Sequence, residues 1–152
     1  MSQSNRDRMV DILSTGLQNF ATAGGDRELV DLGAMTLRQV SEGFVENVKS
    51  DDICTFAFPG IVILPGIRTD CFAAVLNDRV IVAWRKGVIK KTTVGRVIPK
   101  RTIKQVSWAV SKNPGTRGAT VLTIVADETI DIVLPKGKPA VANAIVAAMQ
   151  AA

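Results

Sequence analysis

The sequence predicts an α+β chain: a helical arm over residues 1–50, then an antiparallel β-rich domain over residues 51–152 that a further helix closes. Three observations carry this. Charge changes near Lys49-Ser50-Asp51-Asp52, with 5 basic and 7 acidic residues before the boundary and 14 and 7 after it. Apolar residues recur at helical spacing before that point and in short β-branched runs beyond it. An alanine-rich stretch opened by proline ends the chain. The length of 152 residues suits one compact domain, or a domain of about 100 residues with an appendage.

In the arm, Ser4-Asn5-Arg6-Asp7 has capping-box spacing, and Met9, Ile12, Leu13, Leu17 and Phe20 follow on one helical face. Ala23-Gly24-Gly25 ends that helix, because glycine reaches left-handed dihedrals cheaply. Asp26 can cap a second helix with an apolar stripe of Leu29, Leu37, Val40, Phe44 and Val48. A helical hairpin is expected. Phe20, Phe44, Val45 and Val48 offer more apolar area than a two-helix contact hides, which points to self-association. The competing expectation is a clamp on the chain's own core.

Beyond Asp52 the predicted strands are Ile53–Phe58, Ile61–Leu64, Cys71–Leu76, Arg79–Trp84, Thr93–Ile98, Ile103–Lys112, Val121–Val125 and Thr129–Leu134. Asn77-Asp78, Lys86-Gly87, Asn113-Pro114-Gly115 and Asp127-Glu128 supply turns too short for parallel crossovers, so the strands are antiparallel. Val80, Val82 and Trp84 share a face opposite Arg79 and Arg85, and Ile130, Ile132 and Leu134 oppose Asp131. That alternation predicts one buried face and one wet face. Trp84 and Trp108 are expected in the core. Pro139 suits a first helical turn, and Val141, Ile145 and Met149 form a stripe along the helix that follows.

A meander of about seven strands with a capping C-terminal helix resembles a bacterial pleckstrin-homology-like (PH-like) domain. The resemblance rests on Ala73-Ala74-Val75-Leu76-Asn77-Asp78-Arg79-Val80-Ile81-Val82, similar to the family's apolar-turn-apolar hairpin, with Asn77 at the usual threonine. Lys86-Gly87-Val88-Ile89-Lys90-Lys91 is similar to the next hairpin, and Val97-Ile98-Pro99 with Ile103-Lys104-Gln105-Val106 to the step into the fifth strand. It covers residues 52–152 and implies a PH-like β-barrel that binds proteins, peptides or lipid head groups without catalysis. Several bacterial members look like parts of homo-oligomers. Lipid-binding relatives carry a basic motif in the first hairpin, where this chain has only Arg68.

Between Arg79 and Arg117 lie 11 basic residues and no acidic one. If they converge, Arg85, Lys86, Lys90, Lys91, Arg96, Lys100, Arg101 and Lys104 would form a surface for anionic lipid or nucleic acid. Lys86, Lys90 and Lys91 would sit at a hairpin tip, with Val88 and Ile89 as shallow wedges. The plainer expectation is that they are outward residues of alternating strands, with lysines guarding sheet edges.

The composition argues against catalysis and against metal or cofactor binding. The chain has no histidine and no tyrosine, and its adjacent carboxylate pairs, Asp51-Asp52 and Asp127-Glu128, fall at turns. Cys54 and Cys71 read as buried structural thiols. No secretory signal or membrane span is predicted, so a cytoplasmic site is expected, free, peripheral to a membrane or within a larger assembly. The leading functional expectation is a non-catalytic scaffold acting through protein contacts as a homo-oligomer, with an unidentified protein partner and no small-molecule substrate. An anionic-surface binder and a structural component of an assembly such as a virus particle stand as alternatives.

Overall fold

A computed structural model describes residues 3–24, 27–87, 89–134 and 139–151. The element order is α1 (Gln3–Thr22), α2 (Arg27–Val40), α3 (Glu42–Val45), β1 (Cys54–Leu64), β2 (Ile67–Leu76), β3 (Arg79–Lys86), β4 (Thr92–Pro99), a 3-10 turn (Lys100–Thr102), β5 (Gln105–Val110), β6 (Thr120–Val125), β7 (Thr129–Leu134) and α4 (Pro139–Gln150). The strands form one antiparallel sheet in the order β4-β3-β2-β1-β7-β6-β5. The sheet curls over on itself: Arg96 of β4 reaches Glu128 in the β6–β7 turn, and strands from both halves share one core. With α4 packed on β5 and β6, this is the expected α+β, PH-like arrangement.

The hinge of that curl is β1. Pro59-Gly60 reads as a break in the sequence, yet the strand runs through it and merges two predicted strands. Register explains why. β1 pairs with β2 along most of its length but with β7 only at Ile61–Ile63, so proline at 59 removes no ladder bond on the β7 side. Gly60 lets β7 come close, since a Cβ there would lie 2.8 Å from Ile132 Cγ2 and 2.9 Å from the Val133 carbonyl oxygen. β2 also begins earlier than expected, at Ile67, and β5 is trimmed to Gln105–Val110.

The arm differs most from expectation. The second helix breaks at Ser41, so Phe44 and Val45 sit on a separate short helix, α3. The proposed Asp26 cap lies outside the described residues. In the ladder, Phe58, Ala73 and Val82 lie side by side on one face, while Pro59, Phe72 and Ala83 lie on the other. Phe44 meets the second face edge-on at Phe72, with ring centroids 5.7 Å apart, and Gly43 abuts Ala83. α2, through Gly33 at Pro59, and α3 therefore cover that second face, while α1 packs along β1, with Gly16 against Cys54 and Ala57.

This corrects two expectations. Ile81 and Ala83 are as buried as Val80, Val82 and Trp84, so β3 is covered on both faces from Val80 to Trp84 and is exposed only at Arg85 and Lys86, its end. Phe20, Phe44 and Val45 are buried against the chain's own sheet, with Phe20 stacked on Phe58 at 5.8 Å, and Val48 is half-buried. The stripe expected to drive self-association is covered intramolecularly. Arm and sheet share one continuous core.

A polar clasp holds the junction. Arg79, at the start of β3, donates to both carboxylate oxygens of Asp52, to the Asn47 carbonyl at 2.6 Å and to Asp78. Burial works against its charge, but the Asp52 and Asp78 carboxylates outweigh it and raise the guanidinium's pKa. Asp52 is only 6% exposed and Asp78 is 69% exposed. Asp52→Ala, which leaves a mostly buried cation with only Asp78 and the Asn47 carbonyl, is therefore expected to cost about 2 kcal/mol. Asp78→Ala should cost under ~1 kcal/mol, as exposed pairs do. Equal losses on urea unfolding would show that the clasp does not hold the arm.

Candidate functional site: a basic loop end

An antiparallel meander places alternate connections at the same end. The β1–β2 turn at Pro65-Gly66 and the β3–β4 connection over residues 87–91 therefore share one end of the sheet. The β5–β6 loop joins them, because Gly115 lies against the Arg68 guanidinium, 3.8 Å from where its Cβ would stand. Arg68, Arg85, Lys86, Lys90, Lys91, Lys112 and Arg117 are all exposed on these three loops and their flanks. Among the described residues, none of the seven lies within ion-pair distance of a carboxylate. The nearby carboxylates are Asp70 on β2, two residues from Arg68, and Asp131 on β7, which accepts a hydrogen bond from Thr123.

The hairpin tip is built for projection. Lys86 pairs with Thr92 at its base, and the turn needs glycine at 87, where φ is 115° and a side chain would strike the Lys90 carbonyl. Ile89 is 99% exposed, beside Lys90 and Lys91. An isoleucine held fully in water at a basic tip is available for burial in an apolar medium that meets the tip. Val88, the other expected wedge, lies outside the described residues.

The other expected basic residues do not gather here. Arg96 binds Glu128 and stacks over Trp84, 5.3 Å from the ring centroid. Lys100 and Arg101 line a 340 Å³ cleft with Asn77, Asp78, Arg79 and Pro99 at the opposite end of the sheet. Lys100 Nζ donates to the Ala151 carbonyl at 3.1 Å, and burial lowers its pKa, partly offset by Asp78. Lys104 lies beside the start of β5. So Arg85, Lys86, Lys90 and Lys91 converge, whereas Arg96, Lys100, Arg101 and Lys104 stand elsewhere. Arg68, Lys112 and Arg117 complete the cluster. Their signal was position beside turns that topology brings together, rather than nearness in sequence.

Burial pushes the thiols of Cys54 and Cys71 up to about 12, so both are protonated at neutral pH. Among the described residues, no cluster of three or more His, Cys, Asp or Glu side chains could hold a metal ion. No described helix is long and apolar enough to cross a membrane. Trp84 is a core residue, while Trp108 is half-buried and donates Nε1–H to Asn143 Oδ1 at 2.7 Å.

A curled seven-stranded antiparallel sheet closed by a C-terminal helix is a PH-like arrangement of elements. Among solved structures, the chain is similar to one described as autoinhibited Vav1, with a TM-score of 0.42 and 11% identity. That similarity spans 81% of this chain and 23% of the Vav1 chain. No protein-family model and no curated protein matches the sequence.

Proposed function

We propose that the chain is a non-catalytic PH-like module that attaches reversibly to anionic membrane surfaces through its basic loop end. The observation that carries this reading is the fully exposed Ile89 beside Lys90 and Lys91 on a projecting hairpin. Each lysine or arginine near an anionic surface contributes about 1 kcal/mol. Burying an isoleucine contributes roughly 1.5–3 kcal/mol more. Neither is an anchor alone; together they support weak, reversible attachment. Nucleic acid would meet the same cations, but it gives Ile89 no apolar medium, and neither tryptophan lies on these loops as a base-stacking platform. The Phe20, Phe44 and Val45 stripe is buried within the chain and offers no apolar face to a second copy.

The test is sedimentation with vesicles containing phosphatidylserine or only phosphatidylcholine. Binding to the anionic vesicles is expected at about 50 mM salt and should fall steeply at about 500 mM. Lys90→Glu with Lys91→Glu should abolish it, and Ile89→Ser should weaken it at every salt concentration. Equal binding to neutral vesicles, no binding at low salt, or preference for duplex DNA would overturn the proposal.

A further inference from the structure

Among the described residues, the two most exposed large apolar side chains are both isoleucines, Ile89 at 99% and Ile53 at 67%. They lie at opposite ends of the sheet. Cys54, next to Ile53, pairs with Leu76 beside the Asn77-Asp78 turn, whereas Leu64 pairs with Ile67 at the end that carries the Ile89 hairpin. The charges beside them are opposite as well: Asp51 and Asp52 precede Ile53, and Lys90 and Lys91 follow Ile89. Ile53 lines a groove of about 380 Å³ between α1 and the start of β1, together with Asp11, Ile12, Thr15, Asp52 and Cys54.

Charge and reach decide what fills the groove. Asp11 and Asp51 are exposed, and neither lies within ion-pair distance of a described cation. Of the two cations at this junction, Arg79 is already held by Asp52 and Asp78, which leaves Lys49. On α1, Arg8 is offset by Asp7, so the rim of the groove stays acidic. The complementary insert is an apolar side chain that carries cations with it, and Ile89-Lys90-Lys91 has that composition. The 11 residues of β1 stand between tip and groove, on the order of 30 Å of strand, so the tip cannot enter the groove of its own chain.

We propose that copies of this chain associate head to tail, with the Ile89 hairpin of one seated in the Ile53 groove of the next and its Lys90 and Lys91 beside Asp11 and Asp51. A contact between two different surfaces repeats, so it builds rings or filaments rather than a closed pair. Self-association shares the hairpin with membrane attachment but does not depend on it. A seated tip is hidden from lipid, so phosphatidylserine vesicles should compete with association.

Light scattering on the full chain at about 50 mM salt should show a mass that rises with concentration and returns to that of the monomer at about 500 mM. Two variants each remove one surface at exposed positions: Ile89→Ser with Lys90→Ser for the tip, and Asp51→Asn with Ile53→Ser for the groove. Each alone should stay monomeric with the parent's circular dichroism. Mixed, they should form a one-to-one complex and nothing larger, because each supplies the surface that the other lacks. The groove variant should still bind the anionic vesicles. A parent that is monomeric at high micromolar concentration, association of either variant alone, or a mixture that stays monomeric would overturn the proposal. A monomeric parent that binds vesicles sinks the head-to-tail contact alone, and an assembling parent that ignores vesicles sinks the membrane reading alone.

Discussion

Ile132→Asp is expected to unfold the protein. Ile132 is fully buried on β7, opposite Val62 of β1 on one side and Leu122 of β6 on the other, where the two halves of the sheet meet. Its cross-strand neighbours are aliphatic, so a carboxylate there would have no cross-strand ion-pair partner. An unpaired buried carboxylate costs several kcal/mol even after it takes up a proton. That is comparable with the whole stability of a domain this size, about 5–15 kcal/mol. Thermal melting followed by circular dichroism should show the cooperative transition lost or moved far downward. A parent-like transition would mean that β7 does not occupy the centre of the core.

The second large effect is expected at Gly16, midway along α1. A Cβ there would collide with Cys54 Sγ and stand 2.9 Å from both the Ala57 nitrogen and the Phe56 carbonyl carbon. Two of these neighbours are strand backbone and cannot rotate away, so Gly16→Val must lift α1 off β1. Lifting it uncovers Leu13, Leu17 and Phe20, each worth roughly 1.5–3 kcal/mol when buried. Because arm and sheet share a core, the loss should appear as destabilisation of the entire chain by at least about 3 kcal/mol. If the variant instead frees the helices while the strands melt at the parent temperature, the arm is an independent unit.

Much of this architecture is legible in the residues. Asn77-Asp78 and Asp127-Glu128 punctuate apolar runs so sharply that β7 falls at its predicted ends and the hairpins at their predicted places. Proline and glycine at 59 and 60 misled because their local meaning is a break, and only the partial pairing with β7 makes them tolerable. The buried outer face had its own signal. Cys71–Leu76 and Val80–Trp84 contain no polar residue, and such unbroken runs mark strands covered on both sides. Alternation at Val80, Val82 and Trp84 hid it. The arm's stripe was visible, but a stripe does not say what it meets. The basic run was half legible: sequence distance joined Arg96 and Lys100 to the hairpin, whereas folding separated them and drew in Arg68.

The most direct test of the loop end as the working surface is hydrogen exchange of the full chain with and without phosphatidylserine vesicles at low salt. Protection is expected in residues 86–91 and in the loops around Arg68 and Arg117, with the helices α1 and α2 unchanged. Protection confined to the helical arm, or spread evenly over the molecule, would contradict it.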